Sequence, residues 1–197
     1  MNLNTMRTIV RRDLKDEDED NYRWSDDELE RHIAHAVKDF SEAVPLPAKA
    51  TLPTTPDSRV IDISPLTGRV MVEAVEYPLK QFPPSYRRFA LWGHALTIFA
   101  DETPKGDNCN VYYGVLHTLD AEGSTIPTKC EDLIATGAEG YAAVEWASYA
   151  INRVNVGSTT TPKEFLAWGN QKLTQFRKEL KRLGRRNRIR IRHLYQL

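Results

Sequence analysis

Apolar residues at Leu29, Ile33, Ala36, Val37 and Phe40 fall at helical spacing and predict a helix over about residues 26–43. Ser25-Asp26-Asp27-Glu28 before it reads as a capping box: the Ser hydroxyl accepts from the third amide and Glu28 reaches back to the cap. Asp26 and Asp27 suit the positive end of the helix dipole. Tyr22 and Trp24 precede the cap and are expected to pack on the first turn. Residues 45–58 carry four prolines and read as an extended linker.

The pattern then changes to strands. Val60–Ile63 and Arg69–Tyr77 flank Ser64-Pro65-Leu66-Thr67-Gly68, which has hairpin-loop chemistry. Phe89–Phe99 and Val111–Thr118 follow, separated by a turn at Pro104-Lys105-Gly106-Asp107-Asn108. Thr128-Lys129-Cys130-Glu131 is a second capping box, opening a helix to about Asn155 that is dense in Ala and Gly. Small side chains permit close approach, which places this helix at the centre. Thr161-Pro162-Lys163-Glu164 caps a third helix, whose stripe runs through Phe165, Leu173, Phe176, Leu180 and Leu183 to Gly184.

These elements predict an α+β fold: a small helical bundle of three main helices, an antiparallel β-sheet inserted between helix one and helix two, and an extended C-terminal tail. Residues 1–197 read as one domain, with a helical core at 22–44 and 124–184, a β insertion at 58–120 and a tail at 185–197.

The tail carries Arg185, Arg186, Arg188, Ile189, Arg190, Ile191 and Arg192 and ends through Leu194, Tyr195 and Leu197. Alternating Arg and Ile suit an extended strand rather than a helix. Fully extended it reaches about 43–47 Å. Its two faces suit a surface that offers carboxylates and an apolar groove, where an added strand also gains backbone hydrogen bonds. Phosphate binding by clustered Arg and a merely solvated tail are the alternatives.

The 197 residues carry 27 basic and 27 acidic side chains, so the net charge of zero points to no partner by itself. Position changes that picture. Residues 1–43 hold twelve acidic against seven basic side chains; residues 162–197 hold eleven basic against two acidic. Such asymmetry points to an interaction tail rather than to a general solubility strategy. The apolar share of 41% is enough for a modest core and excludes wholesale disorder. No apolar run approaches the roughly 18 residues that span a bilayer, and the charged N-terminus reads as no signal peptide.

Candidate chemistry is sparse. Cys109 and Cys130 fit no metal spacing or disulfide framework and read as free thiols; His94 and His117 are near them in sequence only. Glu28, His32, His35 and Asp39 could share a helix face and hold a divalent metal, against the alternative of a solvated polar face. Asp16-Glu17-Asp18-Glu19-Asp20 lacks the glycine and closing Glu of a calcium loop and reads as a solvated loop or docking surface. Trp92, Trp146 and Trp168 sit in apolar patterns and are expected in the core. No phosphate-loop or nucleophile-elbow motif occurs. No catalytic residue, cofactor or metal ligand is assigned, and an enzyme is not expected.

The stretch Tyr22-Arg23-Trp24-Ser25-Asp26-Asp27-Glu28-Leu29, the Pro-rich exit into a sheet, Ser124-Thr125-Ile126-Pro127 leading into Asp132–Ala142, the helix through Phe165, Phe176 and Leu180, and the basic tail together resemble the head-to-tail adaptor (connector) proteins of tailed bacteriophages. The inserted sheet is similar in layout to the tail tubular proteins of short-tailed phages. The resemblance implies a structural virion protein made in the host cytoplasm. Such a protein forms a homo-oligomeric ring, usually of twelve copies, in the neck below the portal protein. The tail residues Arg185–Leu197 then dock on the portal, the other face receives a stopper or tail proteins, and genomic DNA passes without sequence-specific contact. An acidic front and basic back suit head-to-tail contact between copies, and an acid-lined lumen would let DNA slide. Asp16–Asp20 lies either there or at a subunit interface. Two other classes remain: a nucleic-acid-binding oligomer using its Arg-rich tail, and a metal-dependent hydrolase using Glu28, His32, His35 and Asp39.

Overall fold

The structure is a computed structural model that describes residues 1–150 and 162–192, with side chains of the last helix described to Arg185. The chain divides into two compact units. One combines residues 1–44 with 117–183, and residues 45–116 lie in the other.

The helical unit opens with a helix the apolar pattern did not announce, α1 (Leu3–Leu14). Asn2 caps it through Oδ1, 2.9 Å from the Thr5 amide, and Lys15 closes it in the left-handed conformation. Its buried row is Met6, Val10 and Leu14, three residues hidden among charged ones. α2 (Asp26–Ala43) forms the expected capping box: Ser25 Oγ accepts from the Glu28 amide, and the Ser25 amide donates to Glu28 Oε2 at 2.7 Å. After a 3-10 turn at Thr128–Cys130 comes α3 (Glu131–Ala150), and then α4 (Pro162–Arg192). Glycines let α3 take close neighbours. A Cβ on Gly137 would lie 2.9 Å from Phe176 and 3.0 Å from Ala36; one on Gly140 would lie 2.8 Å from Leu173. Leu29, Ile33, Phe40, Ile134 and Phe176 are at the centre of this core, all 0–1% exposed.

The second unit is a six-stranded antiparallel sheet, curled as a half-barrel. Its strands are β1 (Leu46–Pro53), β2 (Val60–Asp62), β3 (Arg69–Glu76), β4 (Tyr86–Trp92), β5 (Ala95–Phe99) and β6 (Asn108–Val115), in the order β1-β6-β3-β4-β5-β2. Register shifts along β3 against β6 bend that strand, as bulges do. Its core is separate from that of the helices: Ile61, Ile63, Val75, Leu96, Ile98 and Val111 are its best-buried members.

The expected three-helix bundle with a small inserted sheet is therefore wrong. There are four helices among the described residues and six strands. The supposed linker is mostly β1, paired with β6 from Leu46↔Val115 to Pro53↔Asn108. Prolines are tolerated there because β1 is an edge strand. The Thr54 amide bonds to Asp107 O, so Pro47 and Pro53, on the opposite parity, stand where an N–H would face away from β6. Phe89–Phe99 is not one strand but the β4–β5 hairpin, turned by Gly93 at φ 57° and His94.

The expectation of an extended tail also fails. α4 runs through Gly184 to Arg192, so Arg185, Arg186, Arg188, Ile189, Arg190, Ile191 and Arg192 are helical. Arg is a good helix former, and no proline stops the chain. Leu194, Tyr195 and Leu197 lie outside the described residues, as does the expected end of the second helix near Asn155.

Candidate functional site

A groove of about 520 Å3 lies between α2 and α3. From α2 come Arg31, His32, His35 and Lys38; from α3 come Tyr141 and Glu145. The two histidines are three apart and the Tyr–Glu pair four apart, so each pair follows one helix face toward the other. His32 Nε2 lies 2.7 Å from Glu145 Oε2 in a contact that is poorly aligned as a hydrogen bond, and Arg31 also pairs with Glu145. Burial pushes the His32 imidazole below its usual range, against the pull of the Glu145 carboxylate. His35 stacks on Tyr141 with centroids 4.1 Å apart, and the Tyr141 hydroxyl donates to Asp39 Oδ2 at 2.5 Å. Burial, then Asp39, raises the Tyr141 phenol.

This geometry separates the proposed metal set. Glu28 serves the α2 cap, His32 faces Glu145, His35 covers Tyr141 and Asp39 accepts from the phenol. Among the described residues, no three His, Cys, Asp or Glu side chains are grouped to hold a metal ion. The groove is lined by no Ser, Cys or Thr that could act as a nucleophile beside His32 or His35. Arg31 and His32 against Glu145, and His35 stacked on Tyr141, tie α2 to α3. Sequence reasoning singled out the α2 half and missed Tyr141 and Glu145. Their spacing on the neighbouring helix was the available signal.

The other candidates are also occupied. Cys109 is buried in the sheet and Cys130 in the helical unit; burial raises both thiols, away from reactivity. The His117 ring bridges Thr125 O and Val44 O at 3.0 Å each, as a clamp between chain segments. In the acidic run, Asp16 is only 4% exposed, while Glu17, Asp18, Glu19 and Asp20 face solvent.

Trp92 departs most from expectation. It is 88% exposed at the end of β4, not in the core. Trp146 and Trp168 do pack against the helical core, partly buried. The register explains what Trp92 belongs to. Leu96 and Ile98 of β5 point into the core, so their neighbours Ala95, Thr97 and Phe99 occupy the outer face. Trp92 pairs with Ala95, Val60 with Thr97, and Arg88 with Phe99. Trp92, Val60 and Phe99 therefore share one outer face, with Val60 and Phe99 45% and 58% exposed. Farther along the same sheet the outer face is polar. There Glu76 Oε2 accepts from Asn110 Nδ2 and Tyr112 Oη, both at 2.8 Å, and the Tyr112 phenol is pushed up to about 12, chiefly by burial.

On α4, Leu173, Phe176 and Leu180 are buried, whereas Arg177, Lys178, Lys181 and Arg185 are exposed. Of the predicted tail residues, Arg185 is thus a solvent-facing cation. Two positions apart on a helix are about 200° apart around its axis. Positions 189 and 191 therefore do not share a helix face as they would share a strand face. No helix among the described residues is long and apolar enough to cross a membrane. Compared with models of known protein families and with curated proteins, the chain matches none.

Proposed function

We propose that the chain is a structural protein of the neck of a tailed bacteriophage. In this reading it forms a head-to-tail ring, on the order of twelve copies, that joins the portal to the stopper or tail and lets genomic DNA pass. The segment from Arg185 docks on the portal protein, and the chain catalyses nothing. It is made in the host cytoplasm and works in the virion.

The observation that carries this reading is the exposed apolar face of Trp92, Phe99 and Val60. Large apolar side chains gathered on one sheet face cost free energy in water and mark a contact with another protein. A reaction centre is not an equally good reading, because Arg31, His32, Tyr141 and Glu145 of the groove between α2 and α3 are already engaged with protein partners.

Electron microscopy of the purified chain, alone and mixed with portal rings, tests the reading. Rings seated on the portal are the expected result. Trp92→Ser with Phe99→Ser should leave the fold intact and abolish ring or neck assembly. Deletion of residues 186–197 should leave a folded chain that no longer joins the portal. A monomer that ignores the portal sinks the proposal.

A further inference from the structure

One sector of the exposed side of α4 carries charge of a single sign. Setting Arg177 at zero and advancing about 100° per residue, Lys181 falls at about 40°, Arg185 at about 80° and Lys178 at about 100°. Asn170, Thr174 and Lys163 fall in the same sector, and all seven side chains are exposed. The two acids of the helix stand off it, Glu164 and Glu179 about 90° and 150° from its middle. Glu179 is moreover tied to Arg182 at 2.7 Å. No apolar side chain larger than that of Ala167 interrupts the sector, because Leu173, Phe176 and Leu180 lie on the buried side.

We propose that this face of α4 binds the phosphate backbone of double-stranded DNA without reading its sequence. The inference goes beyond the neck reading and holds whether or not that reading does. Two classes of partner fit a cationic surface, an acidic protein and a nucleic acid, and the composition of the face decides between them. Protein interfaces have a core poor in charged residues, Lys above all, with apolar or aromatic anchors. This sector offers Lys, Arg, Asn and Thr and no anchor. A polyphosphate needs none, since its affinity comes from counterions released as cations approach. From Arg177 to Arg185 the row covers about 12 Å, which faces about seven phosphate charges of a duplex at one per ~1.7 Å.

The test is fluorescence anisotropy of the full chain with two labelled duplexes of unrelated sequence, between 50 and 200 mM salt. Equal binding of both duplexes is expected, weakening by about 40- to 150-fold across that range for three or four phosphate contacts. Arg177→Gln, Lys178→Gln and Lys181→Gln together should weaken binding at low salt by about tenfold or more and flatten the log–log salt slope by about 2.7. Lys38→Gln, Lys105→Gln and Lys129→Gln remove the same charge elsewhere and should change little. Far-UV circular dichroism confirms that both variants are folded. The proposal is overturned by no DNA binding at 50 mM salt, by equal loss in the two variants, or by strong preference for one duplex. Displacement by polyglutamate as effective, charge for charge, as displacement by unlabelled DNA also overturns it, and assigns the face to an acidic protein.

Discussion

Arg11 and Asp16 form a buried ion pair, Nη1 to Oδ2 at 2.6 Å, with side chains 8% and 2% exposed. The pair closes the turn between α1 and α2. Asp16 Oδ1 also accepts from the Arg23 amide at 2.7 Å, and Arg11 Nη2 donates to Trp24 O at 3.0 Å and Asp26 Oδ1 at 2.7 Å. The guanidinium lies 3.6 Å from the Tyr22 ring centroid. One member of the acidic run is therefore an internal anchor, while the other four are exposed, Asp18 accepting from the Asp20 amide and Asn21 Nδ2 within the loop.

Asp16→Ala leaves a buried guanidinium short of one charge partner. The expected cost is about 3 kcal/mol, the low end of the range for breaking a buried pair, because Asp26 and Trp24 O still hold Nη2. Glu19→Ala, three residues on and exposed, should change stability by less than about 0.5 kcal/mol. Urea denaturation of the two variants measures both. Equal midpoints would show that Asp16 is as dispensable as its neighbours.

The sequence announced α2 and the start of α4 because caps, dipole charges and apolar period agreed there. α1 escaped for a physical reason. Its buried row is only Met6, Val10 and Leu14, and the surrounding charges, Arg7, Arg11 and Arg12 among them, read as a polar N-terminus. β1 escaped because Pro47 and Pro53 look like breakers until the strand is known to be an edge. Trp92 misled because an alternating strand does not say which side the core is on; the burial of Leu96 and Ile98 decides that. In the tail, local alternation pointed to a strand while Arg-rich composition pointed to a helix, and the helix preference prevailed over residues 185–192. The groove between α2 and α3 was half legible: His32 and His35 drew notice, but Tyr141 and Glu145 belong to a helix about a hundred residues further along the chain.

His32 gives a pH dependence with a definite sign. Burial depresses its folded-state value, so the folded protein binds fewer protons at this site than the unfolded chain. Stability from the neutral ring is complete above the ordinary imidazole value of about 6.5 and is lost as pH falls through the depressed one. Thermal melts between pH 7.5 and 5 should show the wild-type chain losing more stability than His32→Gln. Parallel curves for the two proteins would remove His32 from the acid response.

Gly140 of α3 lies close against Leu173 of α4. A Cβ there would stand 2.8 Å from Leu173 Cγ and Cδ2 and 3.1 Å from the Leu173 backbone nitrogen. A side chain can turn away, but the backbone of α4 must move. Gly140→Ala should therefore destabilise by about 1–3 kcal/mol as an overpacked core, although alanine is the better helix former. Gly123 is the contrasting site: a Cβ added there would meet nothing within 4 Å, and its alanine variant should be neutral within about 0.5 kcal/mol. Leu173→Ala alone opens a cavity and costs about 2–5 kcal/mol. If the clash is with Leu173, the double variant costs less than the sum of the two, because the new methyl fills space that the lost leucine vacates. Strict additivity in a double-mutant cycle would place the penalty at Gly140 on the α4 backbone rather than on the Leu173 side chain.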